Sequence, residues 1–215
     1  MGRPKEHGAQ TRQALLDAAA DIVGAEGEQG VTVRRVADAA GTTTRAVYSL
    51  FGDKDGLLRA LFSLAAETMR RHHDAVPVDP DDPTREFPPL ALAYRAAALE
   101  QPHLYGLWFG RLFTNADADR AEVETSMRSF ERVVDTIARC VASGRFPGRD
   151  PEATAMQLFA LVHGMASLEL GCFFNEPDTA RAAWVDAITA AVDGYRHAPA
   201  VPINTAPVAT TATVR

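Results

Sequence analysis

The chain has 215 residues, of which 47% are hydrophobic, and carries a formal net charge of −6 with only two cysteines. A chain of this size and composition can bury one or two hydrophobic cores without disulfides or metal, which excludes disordered, collagen-like and disulfide-stapled proteins. Cys140 and Cys172 have no CxxC or Cys/His spacing. We therefore predict no metal site, no cofactor and no redox role.

The location of the protein is predicted from its apolar segments. The N-terminal residues MGRPKEHGAQ contain no apolar core of a signal peptide. The longest apolar run, Leu158–Phe174, contains His163 and Glu169 and is shorter than the about 20 residues that a membrane span requires. We expect a cytoplasmic protein without a membrane anchor, in which this run is a buried helix.

The segment from Thr32 to Phe51 has the pattern of two short helices that cross at a steep angle. Apolar residues share one face of each helix, and the two faces would pack against each other. They are Val36, Ala37 and Ala40 in the first helix and Val47, Leu50 and Phe51 in the second. Gly41 lies where the chain needs a left-handed residue after the first helix, and Thr43 or Thr42 can cap the second. The pattern predicts a helix-turn-helix whose second helix exposes Thr44, Arg45, Tyr48 and Ser49 to a DNA groove.

The neighbouring segments distinguish this unit from an ordinary helical hairpin. An amphipathic helix is predicted over Gln10–Glu26, with Leu15, Ala19, Ile22 and Val23 inward, and DKDGLLRALF opens another helix at Asp53. We predict a three-helix DNA-binding domain at 1–53 and a connector helix at 54–75.

These residues resemble the TetR family of bacterial transcriptional regulators over roughly residues 9 to 62. The resemblance is carried by TRQALLDAAADIVGAEG and by VTVRRVADAAGTTTRAVYSLFGDKDGLL. Leu50 departs from the family pattern, which often has His or Tyr before the Phe, and this puts one backbone contact in doubt. The resemblance implies DNA contacts along the second helix and at the start of the connector helix. The candidate DNA-binding residues are Arg34, Thr42, Thr43, Thr44, Arg45, Tyr48 and Lys54.

Charge is distributed unevenly along the chain. Residues 1–75 hold ten Lys/Arg and ten Asp/Glu, so the negative charge lies downstream. The first twelve residues carry Arg3, Lys5 and Arg12 against Glu6 alone. This basic arm could lie in a neighbouring DNA groove, and it could equally be a mobile terminus.

Beyond residue 75 the pattern predicts a second helical domain. Residues 76–88, with VPVDPDDPTREFP, form a Pro/Asp-rich linker loop that we expect to be exposed, and residues 89–197 form the second domain. Its helices are predicted at 89–101, 102–115, 118–143, 150–174 and 178–196. Residues 198–215 are rich in Pro, Ala and Thr, which predicts a disordered tail. The fold class is therefore all-α, an N-terminal helix-turn-helix domain followed by a C-terminal helical bundle.

The second domain has more large aromatic residues than a thin bundle needs. Such residues usually fill cores, and the surplus fits a ligand cavity or a subunit interface. The candidate ligand-binding residues are Tyr105, Trp108, Phe109, Phe113, Met127, Phe159 and His163. HLYGLWFGRLF and LFALVHGMASLELGCFF, with the pair His163–Gly164, resemble a class of TetR C-terminal domains. This resemblance implies a homodimer through the last two helices, about 150–196, although the Trp often found before that pair is absent.

Polar groupings that could support catalysis are few. His163 with Glu169 or Ser167, and His72–His73 with Glu67, show no nucleophile elbow, phosphate loop or metal spacing. The His72–His73 pair is interpreted as a solvated helix end. We therefore expect no enzymatic activity.

The function predicted from the sequence is that of a DNA-binding transcriptional regulator. We expect a homodimeric repressor on a palindromic operator of double-stranded DNA, released when a small apolar or amphipathic effector binds the second domain. The alternatives are a ligand-independent helical protein-interaction module and an activator with the same fold.

Overall fold

The computed structural model describes residues 3–114, 120–174 and 176–198, and only the backbone at 3–7, 110–114, 120–123, 125 and 126. Over these ranges the chain forms α-helices and one 3-10 helix, without a strand. The helices are α1 (Arg3–Gly30), α2 (Val33–Ala39), α3 (Thr44–Phe51), α4 (Lys54–Asp74), the 3-10 helix (Pro83–Glu86), α5 (Phe87–Glu100), α6 (Pro102–Thr114), α7 (Arg120–Ala142), α8 (Pro151–Leu170) and α9 (Pro177–His197). The predicted all-α fold is confirmed. The predicted tail from residue 199 onward lies outside the described residues.

Helices α1 to α3 enclose a small core of their own. Leu15, Val36 and Val47 are fully buried, one from each helix, and Thr32 caps α2 by accepting a hydrogen bond from the Arg35 amide. Helix α1 extends beyond the predicted Glu26 and is interrupted at Gly27, whose φ is 71°. The core holds α2 and α3 on one side of α1.

Helix α4 joins this unit to the rest of the molecule. It packs against α1 and α3 and also against α5, α6 and α7. Leu57, Leu61 and Met69 are buried at successive positions along it, and the buried residues of both regions form one continuous hydrophobic core. The two regions are therefore joined by packed side chains along α4.

The segment 76–88 differs from the predicted exposed loop. Val76, Pro83, Thr84 and Glu86 are buried, and α5 begins at Phe87. The Glu86 carboxylate is buried because Arg132 and Arg139 of α7 surround it. Composition alone predicts a solvated segment, because Arg132 and Arg139 lie too far from Glu86 in the sequence to give a local signal.

Helix α8 is buried on one face only. Leu158, Val162 and Ala166 face the core, whereas Met156 is 59% and Leu168 is 45% exposed. The prediction of a buried helix over 158–174 is therefore wrong for the second face, and the helix already ends at Leu170. None of the helices that the structure describes is long and apolar enough to cross a membrane.

The His72–His73 pair is not the predicted solvated helix end. His73 is 1% exposed and its Nδ1 donates a hydrogen bond to the carbonyl of Ser129 on α7, 3.0 Å away. His72 lies 2.7 Å from the carboxylate of Glu100. Burial lowers the pKa of His73, opposed by its hydrogen bond to Ser129. The neutral ring is thus part of the packing of α4 against α7.

Candidate DNA-binding interface

The turn between α2 and α3 is closed by backbone hydrogen bonds. Gly41 has a φ of 63°, and the amide of Thr42 donates to the carbonyl of Ala37 at 2.9 Å, so α2 ends in a left-handed cap. Thr43 caps α3, its Oγ1 accepting from the amide of Ala46 at 3.3 Å. Of the two threonines considered, Thr43 is therefore the cap. The turn fixes the angle at which α3 leaves α2.

Helix α3 has one buried and one exposed face. Val47 is fully buried and Phe51 is half-buried against the core. On the opposite face Thr44, Arg45 and Ser49 are exposed, and Tyr48 is 56% exposed. The exposed face is polar, and its large aromatic residue ends in a hydroxyl that can donate or accept a hydrogen bond.

The start of α4 is pressed against the end of α3. Asp53 caps α4 by accepting from the Gly56 amide at 2.7 Å. A Cβ at Gly56 would lie 1.8 Å from the carbonyl oxygen of Phe51, so only glycine allows this approach. Lys54 is half-buried at this junction and its Nζ donates to the carbonyl of Glu28 at 3.3 Å. This hydrogen bond holds Lys54 against the end of α1.

The basic residues of this region differ in their partners. Arg35 binds the Glu26 carboxylate with both terminal nitrogens and donates to the carbonyl of Gly30 at 2.8 Å. The hydrogen bond from Arg35 lowers the pKa of Glu26. Arg34 lies 3.9 Å from Asp38, in an exposed pair that contributes little. Arg45 makes no side-chain hydrogen bond or ion pair within the described residues.

The predicted DNA contacts lie on three neighbouring elements. Four belong to α3 or its cap, namely Thr43, Thr44, Arg45 and Tyr48. Thr42 is half-buried in the turn, Arg34 is exposed on α2, and Lys54 opens α4. One contact in this region was not predicted from the sequence: Arg12 of α1 places its guanidinium 5.4 Å from the ring centre of Phe51, at the end of α3.

The aromatic residues of the second domain pack directly on one another. Ring centres are 4.6 Å apart for Trp108 and Phe109 and 4.4 Å apart for Phe109 and His163. Phe159 joins this aromatic cluster, as does Phe130, which the sequence analysis did not select. The other two candidates differ. Met127 is 55% exposed on α7, and the side chain of Phe113 lies outside the described residues.

A small cavity lies beside this aromatic cluster. A cavity of about 10 Å³ lies among α4, α5 and α6, lined by Thr68, Gln101 and Trp108 among others. Such a volume holds about one water molecule.

A polar chain crosses the aromatic cluster. The Tyr94 hydroxyl lies 2.9 Å from that of Tyr105, which lies 2.7 Å from Nδ1 of His163. Burial lowers the pKa of His163, so the imidazole is neutral near pH 7. Glu169 is engaged elsewhere, 2.8 Å from Nε of Arg95 and 2.9 Å from Nε1 of Trp184. His163 and Glu169 therefore do not form the pair considered from the sequence.

Two family profiles match the chain along most of its length. Residues 15–61 match the family described as "Bacterial regulatory proteins, tetR family", and residues 88–211 match "Tetracyclin repressor-like, C-terminal domain". The first covers the three-helix unit and the start of α4, and the second covers more than half of the chain.

Individual proteins show the same likeness. The chain is 24% identical over 152 residues to the HTH-type transcriptional regulator AcrR of Shigella flexneri, covering 67% of this chain and 71% of that protein. A TetR family transcription regulator from Marinobacter aquaeolei has a TM-score of 0.73 at 17% identity, covering 88% of this chain and 97% of its own. The TetR family regulator PfmR from Thermus thermophilus has a TM-score of 0.65 at 19% identity, covering 81% and 97%. These two structures share the fold, and with the profile matches they show that the chain belongs to the tetR family of bacterial regulatory proteins, with the fold of its DNA-binding transcriptional regulators.

Proposed function

We propose that the protein is a homodimeric transcriptional repressor that binds a palindromic operator through α3 and leaves it when a small apolar or amphipathic molecule binds the second domain. The observation that carries this proposal is the exposed face of α3. Thr44, Arg45 and Tyr48 point away from the core, on a helix whose cap and turn are fixed by hydrogen bonds.

Arg45 is the residue that we assign to base reading. Its sequence neighbours at three and four positions are Gly41, Thr42, Tyr48 and Ser49, so no acid within α3 competes for the guanidinium. An arginine in the major groove donates two hydrogen bonds to the O6 and N7 of guanine. Lys54, fixed at the start of α4, is assigned to a phosphate, which sets the register of α3 on the duplex.

A second copy of the chain is needed for useful specificity. Helix α3 has eight residues and is thus about 12 Å long, which reaches only a few base pairs. We assign the dimer contact to the open face of α8, where Met156, Ala160, Gly164 and Leu168 recur every four residues. The small residues between Met156 and Leu168 allow a second helix to approach closely. A twofold dimer built this way matches a palindromic site.

The effector part of the proposal is supported by the aromatic cluster. Its rings offer an apolar surface, and the chain from Tyr94 through Tyr105 to His163 offers hydrogen bonds to a polar group. The cavity beside Trp108 and Tyr105 measures only about 10 Å³, so an effector that enters there separates the rings and favours a second, opened conformation. This suits an apolar or amphipathic molecule.

Two contacts would transmit that opening to the DNA-binding unit. Helix α4 runs from Lys54 at the interface to His73 against α7. Helix α6 contacts α1 where the ring of His103 lies over Gly24, so close that a Cβ there would be 2.4 Å from His103. A displacement of α6 thus moves α1 or α4, and with them the separation of the two α3 helices in a dimer.

DNA binding is tested by selection from random-sequence duplexes. We expect a palindromic consensus, bound by two chains, and Arg45→Ala should relax one position in each half. Placing the selected site across a promoter should reduce transcription in a purified system. A rise in transcription would make the protein an activator, and a failure to select any sequence would contradict the proposal.

Dimerisation and release are tested on the same DNA. Leu168→Glu places a charge on the open face of α8 and should give monomers by sedimentation, with Leu99→Glu, the same change at an exposed leucine of α5, as a control. In a Trp184→Phe background, Trp108 reports on the aromatic cluster. An apolar compound library should yield molecules that change Trp108 emission and weaken operator binding over the same concentration range. Compounds that change emission without affecting DNA binding would contradict the coupling.

A further inference from the structure

Arg12 of α1 contacts the last residue of the recognition helix α3, with its guanidinium over an aromatic ring. Its guanidinium carbon lies 5.4 Å from the ring centre of Phe51. Phe51 is the last residue of α3 and is half-buried, whereas Arg12 is exposed. A guanidinium over an aromatic face is attracted by the ring quadrupole. The contact therefore ties this cation to α3.

No acidic residue of α1 lies one helical turn from Arg12 in the sequence. The residues at three and four positions on either side are Gly8, Ala9, Leu15 and Leu16, none of which is acidic. Within the side chains that the structure describes, Arg12 makes no hydrogen bond or ion pair. By contrast, Arg35 is held by Glu26 and Arg34 lies beside Asp38. Arg12 thus keeps its hydrogen-bond donors available.

Stacking is compatible with binding a second group. The five N–H donors of a guanidinium lie in its plane and match the oxygens of a phosphate, and a ring face uses none of them. A lysine at this position would lack both the planar stack and the fork of donors. Phe51 therefore acts as a platform that limits the conformations of a long side chain while leaving its charge free to bind.

The place of Arg12 in the fold fits a phosphate beside the major groove. Phe51 follows the exposed Tyr48 by three residues, less than one helical turn. A helix of about 10–12 Å diameter fills a groove about 12 Å wide, so the sugar-phosphate backbones flank it. Lys54 contacts Glu28, sixteen residues after Arg12 on α1, and the two cations would therefore meet different phosphates.

We propose that Arg12 binds a DNA backbone phosphate flanking the groove that α3 enters, and that Phe51 positions its guanidinium. This assignment rests on the proposed DNA binding by α3. For Arg12 the assignment replaces both interpretations of the basic N-terminal arm, an arm in a neighbouring groove and a mobile terminus, because Arg12 lies within helix α1, which begins at Arg3.

The experiment measures binding of a duplex selected by the protein, and of a shuffled duplex of equal composition, at several salt concentrations. Arg12→Ala should weaken binding of both duplexes about tenfold for each half-site, and so about a hundredfold for the dimer, since one charge-assisted hydrogen-bonded contact is lost from each half-site. It should also reduce the slope of log K against log salt by about 0.9 for each half-site. Arg12→Lys should retain the slope with a smaller loss of affinity. Arg85→Ala, which removes the same charge from a side chain 73% exposed outside the three-helix unit, is the matched control and should leave the slope unchanged.

Phe51→Leu separates positioning from folding. It keeps an apolar side chain in the core and removes the ring, so it should weaken DNA binding in the wild-type background and have no further effect on affinity in Arg12→Ala. A wild-type salt slope in Arg12→Ala would overturn the phosphate contact. Equal losses from Phe51→Leu with and without Arg12 would overturn the platform. If wild-type protein selects no DNA, the proposed function itself fails, whereas loss of specificity in Arg45→Ala with an unaffected Arg12→Ala refutes only this inference.

Discussion

Glu86 offers the sharpest test of how the second domain is held together. Its carboxylate is 2% exposed and accepts hydrogen bonds from Arg139 at 2.7 and 2.9 Å, from Arg132 at 2.5 Å and from the amide of Asp79 at 2.8 Å. The perturbation is Glu86→Gln, which preserves the shape of the side chain and removes its charge.

The magnitude follows from the two arginines that surround the buried carboxylate. Burial by itself raises the pKa of Glu86, but the hydrogen bonds from Arg139 and Arg132 outweigh it and lower the pKa from 4.5 to about 2. That difference corresponds to about 3 kcal/mol of native-state stabilisation of the charged form. Removing one member of a buried ion pair costs about 3–5 kcal/mol, which agrees. We therefore expect Glu86→Gln to lower the free energy of unfolding by about 3 kcal/mol at pH 7.

The pH dependence provides a second, independent readout. A carboxylate whose pKa is lower in the folded than in the unfolded state stabilises the protein above its unfolded pKa, and this stabilisation is lost as the pH falls from about 4.5 towards 2. At pH 3.5 about 1.4 kcal/mol of it is already lost. The difference between wild type and Glu86→Gln should therefore shrink by about that amount between pH 7 and pH 3.5.

The assay is unfolding in urea, followed by circular dichroism at one fixed chain concentration, because association contributes to stability. Glu131→Gln, at an exposed position on α7, is the control and should change the free energy of unfolding by less than about 0.5 kcal/mol. A Glu86→Gln variant within about 1 kcal/mol of wild type at pH 7, with an unchanged difference at pH 3.5, would refute the reasoning.

Three further predictions concern the interface and α4. Arg45→Ala should lose about 1–3 kcal/mol of binding free energy on the selected duplex and relax the base preference at one position, because a base contact is removed. Lys54→Ala should instead weaken binding to all duplexes alike and reduce the salt slope by about 0.9 per half-site. Equal loss of specificity from both variants would contradict the assignment. Gly56→Ala places a Cβ 1.8 Å from the Phe51 carbonyl oxygen, so it should lower the free energy of unfolding by about 1–3 kcal/mol and weaken DNA binding. A variant with the melting temperature and the DNA affinity of wild type would disprove the close approach. His73 is buried with a lowered pKa, so the unfolded chain takes up the proton first and stability should fall as the pH drops below 6.5; His73→Phe should flatten this dependence, measured by thermal melts from pH 7.5 to 5.

The helix-turn-helix could be predicted because its determinants are local. The apolar spacing of Val36 and Val47, the left-handed position at Gly41 and the cap at Thr43 are all read within about twenty residues, and each acts through contacts between near neighbours in the chain. The same holds for the ends of α5, α6, α7 and α9, which lie within a few residues of the predicted bounds because Pro and Gly interrupt the pattern there.

Features that depend on partners far away in the sequence could be identified only from the tertiary structure. The sequence predicts Glu86 and His73 to be solvated because both lie in polar segments. Their partners are distant in the sequence, since Arg139 lies 53 positions from Glu86 and Ser129 lies 56 positions from His73. The sequence identified most of the aromatic cluster but not Phe130, nor the direct contacts between its rings. The sequence identified Arg12 as a basic residue but not its contact with the ring of Phe51. Local periodicity sets which face of a helix is apolar, whereas burial of a charge, closure of a cavity and stacking of a cation depend on which faces meet when the chain folds.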